Sequence, residues 1–165
     1  MGDAIPISRV LVRPRLGHRH LFGYGYFLNE RILRSFCPDA TFVDVAFYES
    51  RAFAVDSNGC LTLRPRAGHR TYGVVWSVPD VSVYALDLSL SVPRHYDRIG
   101  SFARTLDGQL CISEFLATRD QGVGRLDSHA LGFIVRAARR WKFTPRYIGE
   151  IAQWGDAGSR RRAPH

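Results

Sequence analysis

The sequence predicts an α+β domain of about six or seven strands with helices packed outside them. Three observations predict it. The stretch Tyr72–Arg98 reads as strand, helix, turn and strand: apolar Tyr72–Val78, then Val81, Tyr84, Ala85 and Leu88 at helical spacing behind Asp80, a good N-cap, then an extended run from His95. Asn58-Gly59 and Asp107-Gly108 are hairpin signals between strand-like segments. Two helical patterns close the chain, an amphipathic one capped by Asp127 or Ser128 and one that Pro145 starts.

Taken in order, residues 1–19 form a basic arm whose Ile7–Val12 segment pairs weakly. His18 and His20 flank Arg19 without a third ligand at metal spacing, so a loop is expected there and no metal. His20–Tyr26 is the first core strand, followed by a turn and a short helix over Asn29–Arg34. Ala40–Val55 makes one or two strands with Glu49-Ser50-Arg51 as a kink. Asn58-Gly59 turns the chain into Cys60–Leu63, and Arg64–Arg70 reads as a polar loop. Tyr96–Thr105 and Gln109–Thr118 pair across Asp107-Gly108, with Glu114 and Phe115 on opposite faces. The next helix runs to Arg140 or Trp141, with Leu131, Ile134, Val135 and Ala138 inward and Arg136, Arg139 and Arg140 outward. Pro145–Trp154 is the last helix, and 155–165 a flexible basic tail.

Composition narrows the function classes. A chain of 165 residues is one domain able to bury a continuous core, and 45% apolar content excludes a mostly disordered one. No apolar run approaches the roughly 20 residues that span a bilayer. Pro6, Arg9, Arg13 and Pro14 interrupt any signal-peptide core, so a soluble, cytoplasmic protein is expected. Cys37, Cys60 and Cys111 are odd in number and far apart, which argues against disulfides and zinc. The net charge is +8, Lys142 is the only lysine, and arginines concentrate at Arg9–His20, Arg136–Lys142 and Arg160–Arg162. With no nucleic-acid motif present, a dedicated nucleic-acid binder is not expected. Such a binder would align Arg136, Arg139 and Arg140 with the tails.

Tyr24-Gly25, Glu30-Arg31-Ile32, Gly73-Val74-Val75-Trp76, Leu86-Asp87, Tyr96–Ile99, Cys111–Thr118 and Trp141–Tyr147 follow one another in an order that resembles the gamma-glutamylcyclotransferase-like family, over about residues 20–154. The resemblance implies that the strands close into a small mixed β-barrel with helices outside and across its mouth. It also implies a reaction in which a γ-glutamyl amide becomes 5-oxoproline and a free amine, with a glutamate relaying the proton. Laying Leu86-Asp87 on the family's helix-end motif puts Leu90 in the glutamate's place and Ser91 in the glycine's. A leucine carries no proton, and losing such a group costs about 10²–10⁴ in rate. The expectation is therefore a non-catalytic or repurposed domain that binds a small ligand or a protein partner, with no cofactor.

The pocket implied by the resemblance comprises Tyr24, Gly25, Tyr26, Phe27, Leu90, Tyr96 and His129. Tyr26 and Phe27 replace small polar residues of the family loop and narrow it. Two alternatives stand beside this reading. One is an enzyme of altered chemistry on γ-glutamyl or related amides using Asp87, His95, Asp97 or His129 as acid or base. The other is a basic anion or nucleic-acid binder.

Overall fold

The computed structural model describes residues 11–156; the start of the N-terminal arm and the tail with Arg160–Arg162 lie outside the described residues. The elements are β1 (Leu11–Val12), β2 (His18–Gly23), a 3-10 turn (Gly25–Leu28), α1 (Glu30–Phe36), β3 (Thr41–Val55), β4 (Leu61–Pro79), α2 (Asp80–Ser89), β5 (Tyr96–Thr105), β6 (Leu110–Thr118), α3 (Ser128–Arg140) and α4 (Pro145–Ala152). The strands run in the order β1-β6-β2-β4-β3-β5, and β5 also pairs with β6. That last pairing closes five strands into a barrel and leaves β1 as an added strand beside β6. β1 and β2 lie parallel to β6, with Leu11 opposite Leu110 and Leu21 opposite Glu114, while the remaining pairs are antiparallel. The barrel is therefore mixed.

Turn chemistry sets the two hairpins. Gly59 and Gly108 have φ of 79° and 88°, where a side chain is strained. The kink in β3 is a register shift between Glu49 and Arg51, with Ser50 at φ 56° between them. Opposite it, Arg64–Arg70 is not a loop but the middle of the long strand β4, correcting the expectation from its polarity. Pro65 pairs with Arg51 and Arg70 with Glu49, so strand pairing at both ends carries the exposed stretch between them.

A second correction concerns α2. Val81, Tyr84 and Leu88 are 76%, 67% and 67% exposed, and the helix buries Ser82, Val83 and Leu86 instead. Apolar residues occupy both faces of this helix. The packed face is the one on which Val83, Leu86 and Leu90 recur at i, i+3 and i+7. Asp80 is its first residue and not its cap, since Pro79 holds the cap position. Asp127 and Thr144 do cap α3 and α4, accepting from the amides of Ala130 and Tyr147.

The core centres on Trp76, Tyr48, Phe22 and Phe115, with Ile134 and Ile151 packed on it from the helices. His20 is buried at the β2–β6 contact, and its Nδ1–H donates to the Ile112 carbonyl at 3.0 Å. Burial favours the neutral imidazole and lowers the pKa of His20 against the opposing pull of that carbonyl. The unfolded chain therefore takes up the proton first, near the ordinary value of about 6.5. Stability is full above that pH and is lost as the pH falls through the folded-state value. In His20→Gln the fall in urea midpoint between about pH 7 and pH 5 is expected to shrink. An equal fall in both proteins would remove His20 as its cause.

Candidate functional site

One end of the barrel holds a cavity of about 300 Å³. Its wall is assembled from segments far apart in the chain. The end of β2 and the 3-10 turn supply Leu21, Phe22, Tyr24, Tyr26 and Phe27, while α1 supplies Ile32 and Phe36. The β3–β4 turn supplies Gly59, Cys60 and Leu61, and the far side is Leu90, Tyr96 and Leu116.

The 3-10 turn exists because Gly25 allows it. Gly25 has φ 58°, and a Cβ there would collide with the Leu61 side chain on the cavity wall. Phe27 N–H donates to Tyr24 O and Asn29 N–H to Tyr26 O, both at 3.1 Å, which tightens the turn. The Asn29 side chain then accepts from Ile32 N and starts α1. Trp76 Nε1–H donates to Phe27 O at 3.1 Å, tying the turn to the central strand. Gly25→Ala is expected to cost about 1–3 kcal/mol, combining positive-φ strain with the Leu61 collision. Chemical denaturation measures it, and a neutral substitution would show that the turn tolerates a β-carbon.

Polar groups at the cavity are few. The Tyr24 hydroxyl donates to the carbonyls of Leu116 and, at 3.3 Å, Leu61, bridging β6 and β4. Burial holds Tyr24 well above the ordinary phenol range, and Tyr96, Tyr147 and Cys60 nearby add to it. Tyr96 is likewise raised, first by burial and then by the nearby Cys60 thiol. Tyr26 is raised by burial more than by Asp127. These phenols stay neutral at physiological pH and offer hydrogen bonds, not charge.

Leu90 is the C-cap of α2, with its amide bonded to Leu86 O at 2.9 Å, and its side chain reaches the cavity wall. None of the thirteen lining residues carries a carboxylate or an imidazole. The candidate acids and bases are used elsewhere. Asp87 pairs with Arg98, whose other nitrogen holds Glu114 at 3.1 Å. Arg98 is nearly buried, so this bridge ties α2 to β5 and β6. Glu114 thus faces away from Phe115, which is fully buried. Asp97 accepts from Arg119 at 2.9 Å and 3.0 Å, and His95 sits exposed in the turn before β5.

His129 lies exposed in the first turn of α3 and does not line the cavity. The Asp127 cap fixes the helix start and turns this residue outward. Gly25 shapes the turn without lining the cavity. Cys60, Leu61 and Leu116, by contrast, line it without having been singled out. They arrive through barrel closure, and only the Asn58-Gly59 turn signal pointed to that region. Among the described residues no cluster of His, Cys, Asp or Glu is placed to hold a metal ion. No helix among them is long and apolar enough to cross a membrane.

No family model matches the sequence, and no curated protein does. Solved structures match the fold. One described as gamma-glutamyl cyclotransferase superposes with a TM-score of 0.77 at 18% identity, covering 85% of this chain and 90% of that one. An uncharacterized protein from Homo sapiens gives 0.77 at 18%, covering 86% and 90%. YkqA from Bacillus subtilis gives 0.67 at 14%, covering 82% of this chain and 53% of that one.

Proposed function

We propose that this chain, which has the gamma-glutamyl cyclotransferase-like fold, is a non-catalytic or repurposed version of it whose cavity takes a small, largely apolar ligand. The observation that carries this reading is the cavity wall, aromatic and aliphatic apart from phenol and thiol groups; it includes Leu90, the residue that the sequence resemblance sets in the glutamate's place. A proton relay between an attacking amine and its leaving group needs a carboxylate or imidazole within hydrogen-bond reach, and the wall supplies neither. About 300 Å³ is the lower end of small-molecule sites, which suits a ligand of one ring or a short chain. The Tyr96 hydroxyl and Cys60 thiol are available to orient one polar group of it.

Altered chemistry by Asp87 or Asp97 is disfavoured because both carboxylates are held in ion pairs outside the cavity wall. We place the 20–154 domain in the cytoplasm, where three free cysteines are stable as thiols.

The test has two arms on the wild-type protein. Incubation with a panel of γ-glutamyl amines is expected to release 5-oxoproline no faster than buffer. Titration with indole, toluene and six- to eight-carbon alkanols is expected to raise the melting temperature. Release at enzymatic rates would overturn the non-catalytic reading; no thermal shift from any probe would overturn the apolar-ligand reading.

A further inference from the structure

A second concave surface lies between α1 and α3, with a volume of about 1060 Å³. Arg31 and Arg34 from α1 face Arg136 and Arg140 from α3 across it, and Phe133 and Trp141 form part of its wall. The one acid lining it, Glu30, already holds Arg34 at 3.0 Å. Arg31, Arg136 and Arg140 have no carboxylate partner among the described residues, so three uncompensated guanidiniums share this one concavity. The helices that carry these arginines are separated by most of the chain. Contacts of α3 with the 3-10 turn before α1 bring them together.

We propose that this groove binds single-stranded nucleic acid. Three unpaired guanidiniums in one concavity match a run of phosphates, since each presents a fixed fork of donors to phosphate oxygens. The half-buried rings of Phe133 and Trp141 in the same wall suit unstacked bases, which accept any aromatic neighbour. Trp141 is held rigidly for this, with Nε1–H donating to Leu28 O at 2.7 Å and its ring stacked on Phe42. An acidic peptide would satisfy the arginines and leave the aromatic wall without a role. A lipid surface needs protruding aromatic tips, and these are recessed. A duplex is too wide to enter a cleft between two helices and would meet only its rim.

The measurement is fluorescence anisotropy of a labelled twelve-residue oligothymidylate with the full chain at several salt concentrations. Three phosphate contacts predict a slope of log affinity against log salt near −2, about a 15- to 20-fold loss between 50 and 200 mM salt. Arg136→Gln/Arg140→Gln removes two exposed arginines and is expected to flatten that slope by about 1.4. Quenching of tryptophan emission on binding should disappear in Trp141→Phe.

As a control, Arg160→Ser/Arg161→Ser/Arg162→Ser changes the tail and is expected to retain the slope difference between groove variant and parent. Three results would overturn the proposal. They are no binding at 50 mM salt, a groove variant that binds like wild type, or equal competition by polyglutamate or duplex of the same charge.

Discussion

Leu90→Glu is expected to weaken binding of any apolar ligand in the cavity by about 30- to 150-fold, while 5-oxoproline release stays at background. The first effect follows from the wall that Leu90 shares with Leu61, Leu116 and Tyr96. An ionised carboxylate there must stay hydrated, so an apolar ligand that displaces its water loses about 2–3 kcal/mol. The second follows from the bulky Tyr26 and Phe27 side chains on that wall, which on the proposed reading leave no polar cradle for a glutamyl group.

The same variant carries a pH signature. Partial burial raises the introduced carboxyl above the unfolded value of about 4.3, so the unfolded chain loses its proton first as the pH rises. Its stability deficit relative to wild type should therefore grow from about pH 4 to pH 7. Isothermal titration with indole, the 5-oxoproline assay and urea unfolding at both pH values measure the three effects. Substantial cyclotransferase activity in the variant would mean that the glutamyl cradle has survived the two aromatic replacements and that the loss is local to Leu90.

Trp76→Ala is expected to cost about 4–5 kcal/mol, enough to unfold a domain of ordinary stability in part. Trp76 is fully buried in β4 and meets Phe42 and Trp141 edge-on at 6.2 Å and 6.3 Å. Its removal opens a cavity and strands the Phe27 carbonyl that its indole N–H satisfies. Trp76→Phe keeps much of the volume and loses the hydrogen bond, so about 1–2 kcal/mol is expected. Urea unfolding of both variants separates packing from hydrogen bonding. A loss below about 2 kcal/mol in Trp76→Ala would show that the 3-10 turn does not depend on this anchor.

The strands were legible because their ends carry unambiguous chemistry. Asn58-Gly59 and Asp107-Gly108 mark hairpins, and Asp127 and Pro145 mark helix starts, all by local geometry that tertiary packing does not override. Where two readings compete locally, the fold decides. On α2, Val81, Tyr84 and Leu88 form as good a helical stripe as Val83, Leu86 and Leu90, and only the barrel's position selects the second. In β4 the polar run from Arg64 to Arg70 looks like a loop until β3 lies beside it. The cavity was legible in part for the same reason. Tyr24, Tyr26, Phe27, Leu90 and Tyr96 all line the cavity, while Cys60, Leu61 and Leu116 join them only through closure, and His129 lies exposed in the first turn of α3. Of the arginine groove only the Arg136 and Arg140 side was legible in sequence, because Arg31 and Arg34 have no local relationship to it.

The barrel closes unevenly. β5 and β6 share nine residue pairs, whereas β3 and β5 meet only at Ala46–Thr105 and Phe47–Arg104, and β2 and β6 only at Leu21–Glu114. Joins that short are the places where thermal fluctuation parts the wall most cheaply. Amide protons at these two junctions should exchange with solvent sooner than those of the long β3–β4 ladder, without global unfolding. Breathing at the β2–β6 join, where Leu21 lines the cavity, would let the cylinder admit or release a guest without disturbing the long β3–β4 ladder.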